Sequence, residues 1–223
     1  MHGKALLAAL FAVAMLLAGN IQAASSDRGK SWEATIQLIG TGSDSSNGEN
    51  GSSVALKSAT GWAFGVTYNF NEHLALGFDA SFVKPKYDAV IVPDDDDEDP
   101  FSISHKASIF NGALNGTYNI LKGNFTPYVQ LGLGWTNVDS NVADGPPSTG
   151  CWWDPWWGYV CANFWSTYND TSFSWNAGLG LRYEFQNRMF LKGSVNRIFL
   201  DSNQDSADPK LDMWKLELGW MFN

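Results

Sequence analysis

Cys151 and Cys161 enclose nine residues in the stretch Cys-Trp-Trp-Asp-Pro-Trp-Trp-Gly-Tyr-Val-Cys, the part of the chain whose types and spacing most invite chemistry. In an exported chain, two cysteines at this spacing read as a disulfide, because such chains pass through an oxidising compartment. A structural metal asks for four ligands, so two lone thiols do not make a metal site. Asp154-Pro155 supplies a turn in the middle of the ring and draws Trp152, Trp153, Trp156 and Trp157 together. If exposed, the four rings form an apolar patch that marks an interaction surface for a glycan, lipid or protein. If folded down onto the body of the protein or into a membrane interface, they only pack. The residue types leave both readings open.

The other reactive side chains carry less. Asp94 to Asp99 is a run of six acids, without the spaced oxygens and central glycine of a calcium loop. It reads as a solvated, self-repelling loop, with loose binding of divalent cations as the sharper alternative. Beyond the amino-terminal segment the histidines are His73 and His105. Ser104 precedes His105, but sequence adjacency does not bring a nucleophile within reach of its base. Gly178-Leu179-Gly180 lacks the third glycine and the strand-turn-helix setting of a nucleotide loop. No catalytic residue, metal site or cofactor is assigned, and an enzyme is not expected.

Residues 1–23 combine a basic start at Lys4, an apolar run from Ala5 to Leu17 and a polar end at Asn-Ile-Gln-Ala-Ala. This is the pattern of a secretory signal peptide cut after Ala23, leaving residues 24–223 as one domain. The full chain carries a formal net charge of −9, with 14 Lys and Arg against 23 Asp and Glu. That balance excludes a nucleic-acid partner, whose phosphates demand a basic surface. Glycine and aromatic residues are abundant and charged residues make up only 17% of the chain, as in a β-rich protein.

Period-two alternation picks out eight segments: Trp32–Thr41, Ala59–Phe70, His73–Lys84, Lys106–Ile120, Asn124–Asn137, Thr171–Phe185, Arg188–Phe199 and Asp212–Phe222. In the last of them Trp214, Leu216, Leu218, Trp220 and Phe222 share one face, with Lys215, Glu217 and Gly219 on the other. Connections alternate between two or three residues and much longer stretches at Gly42–Ser58, Pro85–His105, Val138–Asp170 and Leu200–Leu211. Aromatic residues of the apolar face gather at both strand ends. Trp62, Phe82, Trp135, Trp175 and Trp214 lie near the long loops; Trp32, Tyr68, Tyr183, Trp220 and Phe222 lie near the short turns. Two aromatic belts around an aliphatic band are what membrane interfaces select. A soluble barrel would have to bury all these rings inside, and eight strands enclose too little space. The expected fold is therefore all-β: an eight-stranded antiparallel transmembrane β-barrel with short periplasmic turns and long extracellular loops. Its inward face sets Glu33, Asp79, Glu184 and Glu217 against Arg182, Lys192 and Lys215. Opposite charges in so narrow a lumen pair and plug it, or else line a gated path.

Stretches such as Asn124-Phe-Thr-Pro-Tyr-Val-Gln-Leu-Gly-Leu-Gly-Trp135 and Trp175-Asn-Ala-Gly-Leu-Gly-Leu-Arg-Tyr183 resemble the small eight-stranded outer-membrane barrels, the group of the OmpA transmembrane domain, OmpX and OmpW. The resemblance implies a bacterial outer-membrane location. It also implies contact with lipid and lipopolysaccharide, a monomeric barrel, and recognition of Trp220 and Phe222 by the barrel assembly machinery. Asn223 follows the terminal aromatic and departs from that group's usual ending. The role implied is structural or surface-interacting, with an OmpW-like passage for small or hydrophobic solutes as the alternative.

Overall fold

The computed structural model describes residues 28–47, 53–91, 101–143, 146, 148–164, 166–185, 187–201 and 210–222. The expected leader, the acidic run and Trp165 lie outside the described residues. Among the described residues fourteen strands follow in chain order: β1 (Trp32–Thr41), β2 (Asp44–Asn47), β3 (Ser53–Leu56), β4 (Ala59–Asn69), β5 (Leu74–Val83), β6 (Lys86–Ile91), β7 (Phe101–Lys106), β8 (Ser108–Asn119), β9 (Phe125–Ala143), β10 (Ser148–Asp154), β11 (Gly158–Phe164), β12 (Thr167–Glu184), β13 (Met189–Asp201) and β14 (Lys210–Phe222).

Eight of these close into an antiparallel barrel in the order β1-β14-β13-β12-β9-β8-β5-β4, with β4 returning to β1. Closure is in register, since Ile36 stands opposite Leu218 on one side and Phe64 on the other. Every strand edge of the barrel wall is thereby paired. The alternation read from the sequence appears directly in burial: along β14 the odd-numbered residues point inward, while Trp214, Leu216, Leu218, Trp220 and Phe222 stay exposed. The apolar face is the outside of this barrel. Its aromatic side chains interlock across strands, with Trp62 stacked on Phe82 at 4.6 Å, Trp175 on Phe199 at 3.8 Å and Trp32 beside Tyr68 at 5.0 Å.

At one end the barrel strands join through tight turns. Asn71 accepts the backbone N–H groups of His73 and Leu74 at 2.8 Å each, and Arg188 takes a φ of 64° between β12 and β13. At the other end the stretches read as loops are partly folded. The strands β2, β3, β6 and β7 form a four-stranded sheet, and β10 and β11 a separate hairpin. β9 and β12 also run beyond the expected limits, to Ala143 and from Thr167. These additions are short or polar, such as Asp-Ser-Ser-Asn in β2, and owe their form to pairing with a neighbouring strand rather than to an apolar face.

Candidate functional site: a layered lumen and a braced aromatic hairpin

Inside the short-turn end, charged groups from four places in the chain meet. Arg182 of β12 donates to Glu33 of β1 and to Glu184, each at 2.6 Å, and Lys192 of β13 reaches Glu33 at 3.0 Å. Arg28, just before β1, donates to Glu184 at 2.7 Å and to the carbonyls of Glu72 and Leu121 in two of the tight turns. Asn69 adds a bond to Glu33 at 2.7 Å. Phe190 packs between the cations, its ring centroid 4.1 Å from the Arg182 guanidinium carbon and 4.7 Å from the Lys192 ammonium. These side chains are almost wholly buried. Buried ions repay desolvation only when paired and hydrogen-bonded, and each ion of this cluster has an oppositely charged partner. Glu217 is buried beside this cluster, opposite Gln37 and Lys192 in register, but makes no ion pair among the described residues.

A second layer is amide-rich. Asp79 accepts from Gln37 and Asn115 at 2.8 Å each and from Lys215 at 3.4 Å, and Asn176 donates to Asn115 at 3.1 Å. The inward glycines give these groups room. The ends of Asp79 and Thr35 occupy the space a Cβ on Gly65 would take, and Asn115 and Asn176 do the same at Gly132. Nearer the long-loop end Asn111 bridges Thr136 at 2.7 Å and Ser174 at 3.2 Å. Past this polar floor the lining turns apolar: Ile39, Ala63, Val83, Ile198, Leu211 and Met213 form a buried cluster. Together with Leu56 of β3, Ile109 and Leu200, part of this cluster lines a partly open cavity of about 230 Å³, with Asp44 and Lys210 also in its lining.

Beyond the barrel, β10 and β11 pair from Ser148↔Phe164 to Asp154↔Gly158, and Cys151 and Cys161 stand directly opposite each other and are disulfide-bonded. At the tip Asp154 accepts the backbone N–H groups of Trp156 at 2.8 Å and Trp157 at 3.0 Å, and Gly158 takes a φ of 76°, open to glycine without strain. The turn so fixed leaves Trp156 87%, Trp157 81% and Trp153 67% exposed, with Tyr159, opposite Trp153, at 73%. Trp152 is also exposed. Trp156 and Trp157 do not fold down onto the barrel.

Residues 9–222 match the model of the outer membrane protein beta-barrel domain, nearly the whole chain. The chain belongs to this outer-membrane barrel family. No curated protein sequence matches it. Solved structures similar to it include the N-terminal β-barrel domain of Pseudomonas aeruginosa OprF (16% identity, 85% of this chain and 97% of that one, TM-score 0.45). Neisserial surface protein A is another (12%, 86% and 96%, TM-score 0.49), as is the attachment invasion locus protein Ail of Yersinia pestis (12%, 86% and 99%, TM-score 0.47).

As a member of this family the chain sits in the outer membrane of a Gram-negative bacterium. In such barrels the tight turns face the periplasm and the long connections the exterior, so the ion cluster lies at the periplasmic end and the tryptophan hairpin outside. Trp220 and Phe222 are exposed in the periplasmic belt. Ser104 donates to Asp88 at 2.6 Å rather than forming a pair with His105, and His73 stacks on Tyr118 with Nδ1 2.7 Å from the Asn119 carbonyl oxygen. Asp88 also faces Lys57 at 2.6 Å, and these two hydrogen bonds hold its carboxyl below the ordinary range. Sequence reasoning missed Arg28, the amide layer and the apolar chamber. The chamber had a signal, because Leu38-Ile39, Phe82-Val83 and Ile198-Phe199-Leu200 break the alternation at the outer ends of the strands.

Proposed function

We propose that this barrel is a non-enzymatic, monomeric scaffold with a sealed lumen, whose Cys151–Cys161 hairpin contacts an extracellular ligand. The observation that carries this reading is the hairpin's tip: a disulfide, an Asx turn and a left-handed glycine leave Trp156 and Trp157 almost fully exposed. Preordered aromatic side chains lose little entropy on binding and are the usual anchors of recognition surfaces. The lumen supports the scaffold half of the proposal, since the ion cluster spans it from β1 to β12 and β13. In the same reading residues 1–23 direct export, and Trp220 and Phe222 are recognised during assembly. To test it, the refolded barrel in lipid nanodiscs is screened against glycans, lipids and surface proteins beside the W156A/W157A variant. Loss of the wild-type binding profile in the variant supports the reading; an unchanged profile contradicts it.

A second reading rests on the apolar chamber. A cavity of about 230 Å³ with an apolar wall and Ser81, Asn111 and Thr136 among its lining groups suits a small hydrophobic solute. In this reading the barrel is an OmpW-like port. The periplasmic ion cluster blocks a straight path, so the solute would bind above it. Binding of an environment-sensitive apolar dye, abolished by A107W, supports this alternative.

A further inference from the structure

Lys86 of β6 and Lys106 of β7 stand directly opposite each other in an antiparallel pair. Like charges so placed are destabilising. Lys57 and Lys84 join them around one open surface depression, floored by Ser43, Ser58 and Ala59. Four of the chain's 14 Lys and Arg thus gather at one spot of a protein whose net charge is −9. The one carboxylate in ion-pair contact with them is Asp88, against Lys57, among the described residues. On its far side, Lys86 and Lys106 also border a second depression with His105 and Asn141.

The position of this cluster in the membrane identifies its counter-charge. Lys84 follows Phe82 by two residues on the same outward face, so its Cα lies about 7 Å further along the chain. Phe82 is the middle of the aromatic row Trp62–Phe82–Phe110, with centroid spacings of 4.6 and 5.1 Å, in the outer belt. Side chains of the belt mark the boundary between acyl chains and headgroups, so the lysines beyond it stand at the level of the outer-leaflet headgroups. In a Gram-negative outer membrane those headgroups are the phosphorylated sugars of lipopolysaccharide.

We propose that Lys57, Lys84, Lys86 and Lys106 form a site for the phosphates of the lipid A headgroup. The bound phosphate relieves the Lys86–Lys106 repulsion, and the aromatic row beneath lies against the acyl chains. This annular site is separate from the hairpin and stands whether or not the hairpin reading holds.

The test uses the full refolded barrel in detergent micelles, as wild type, K86Q/K106Q and K122Q, the last removing a charge at the periplasmic turn. Heat-dependent gel mobility first establishes that each is folded. Each is titrated with bisphosphorylated lipid A, with dephosphorylated lipid A of the same acyl chains, and with inorganic phosphate, read by native mass spectrometry. Each lysine near an anionic headgroup layer contributes roughly fivefold in affinity, so K86Q/K106Q should bind bisphosphorylated lipid A about thirtyfold more weakly. K122Q should match wild type, and dephosphorylated lipid should bind all three proteins equally weakly. Equal affinity of wild type and K86Q/K106Q, or of the two lipids for wild type, overturns the site. Displacement of lipid A by inorganic phosphate at comparable concentration overturns its assignment to a lipid. As a second readout, K106Q should unfold at the same or a higher temperature than wild type in lipid-free micelles and at a lower one with lipid A. A lower temperature without lipid overturns the repulsion on which the proposal rests.

Discussion

Arg182 and Glu33 are 149 residues apart in the chain, yet their side chains meet at 2.6 Å across the lumen, both buried. This bond ties β12 to β1, which are not neighbours in the wall, and so braces the barrel from within.

Removing one partner of this cluster strands the others. Glu33→Ala leaves Arg182 with Glu184 as its remaining ion-pair partner and Lys192 with no acceptor among its present ion pairs. The expected loss is about 3–5 kcal/mol of barrel stability, typical of a broken buried pair. Urea unfolding in detergent, followed by heat-dependent gel mobility, measures it; a loss under 1 kcal/mol would show that the cluster does not brace the wall.

The packing beneath Phe190 is equally specific. Its ring occupies the space a Cβ would need on Gly219. Gly219→Ala should therefore cost roughly 1–3 kcal/mol through overpacking. Gly193, whose Cβ would meet nothing, provides the control, and Gly193→Ala should be nearly neutral.

The barrel was legible in the sequence because its wall obeys a single rule. Trp32–Thr41 is predicted and found with the same limits, and the inward charges Glu33, Arg182, Glu184 and Lys192 converge in one cluster. What escaped lacked that rule. Arg28 precedes the first strand and has no period to place it. The sheet of β2, β3, β6 and β7 joins two hairpins through the pairing of β3 with β6, more than 30 residues on, which a local pattern does not encode. The tryptophans of the hairpin could be grouped by sequence, through Asp154-Pro155 and the two cysteines. Whether they pack or project is decided by the turn geometry, which holds Trp156 and Trp157 outward.

The disulfide braces the hairpin alone. Cys151 and Cys161 are 10 residues apart, and closing a loop of that size is worth roughly 2–3 kcal/mol. Reduction should raise hydrogen exchange in Ser148–Phe164 while the barrel strands stay protected. Equal loss of protection in β12 and β13 would contradict the separation of hairpin and barrel.

Asp88 offers a pH test of the exterior sheet. Its bonds to Lys57 and Ser104 lower its pKa, so its contribution is present above the unfolded value and is lost as pH falls through the folded one. Carboxyl-carbon NMR should show Asp88 titrating below a free aspartate, with the shift removed by K57Q and S104A together. Its exposure keeps the effect on global stability small.

In the proposed scaffold Arg28, Glu33, Arg182, Glu184 and Lys192 close the lumen. Planar-bilayer recording of the refolded wild-type barrel tests this most directly. A current indistinguishable from that of the protein-free bilayer is the predicted result; reproducible unitary conductance steps would contradict it.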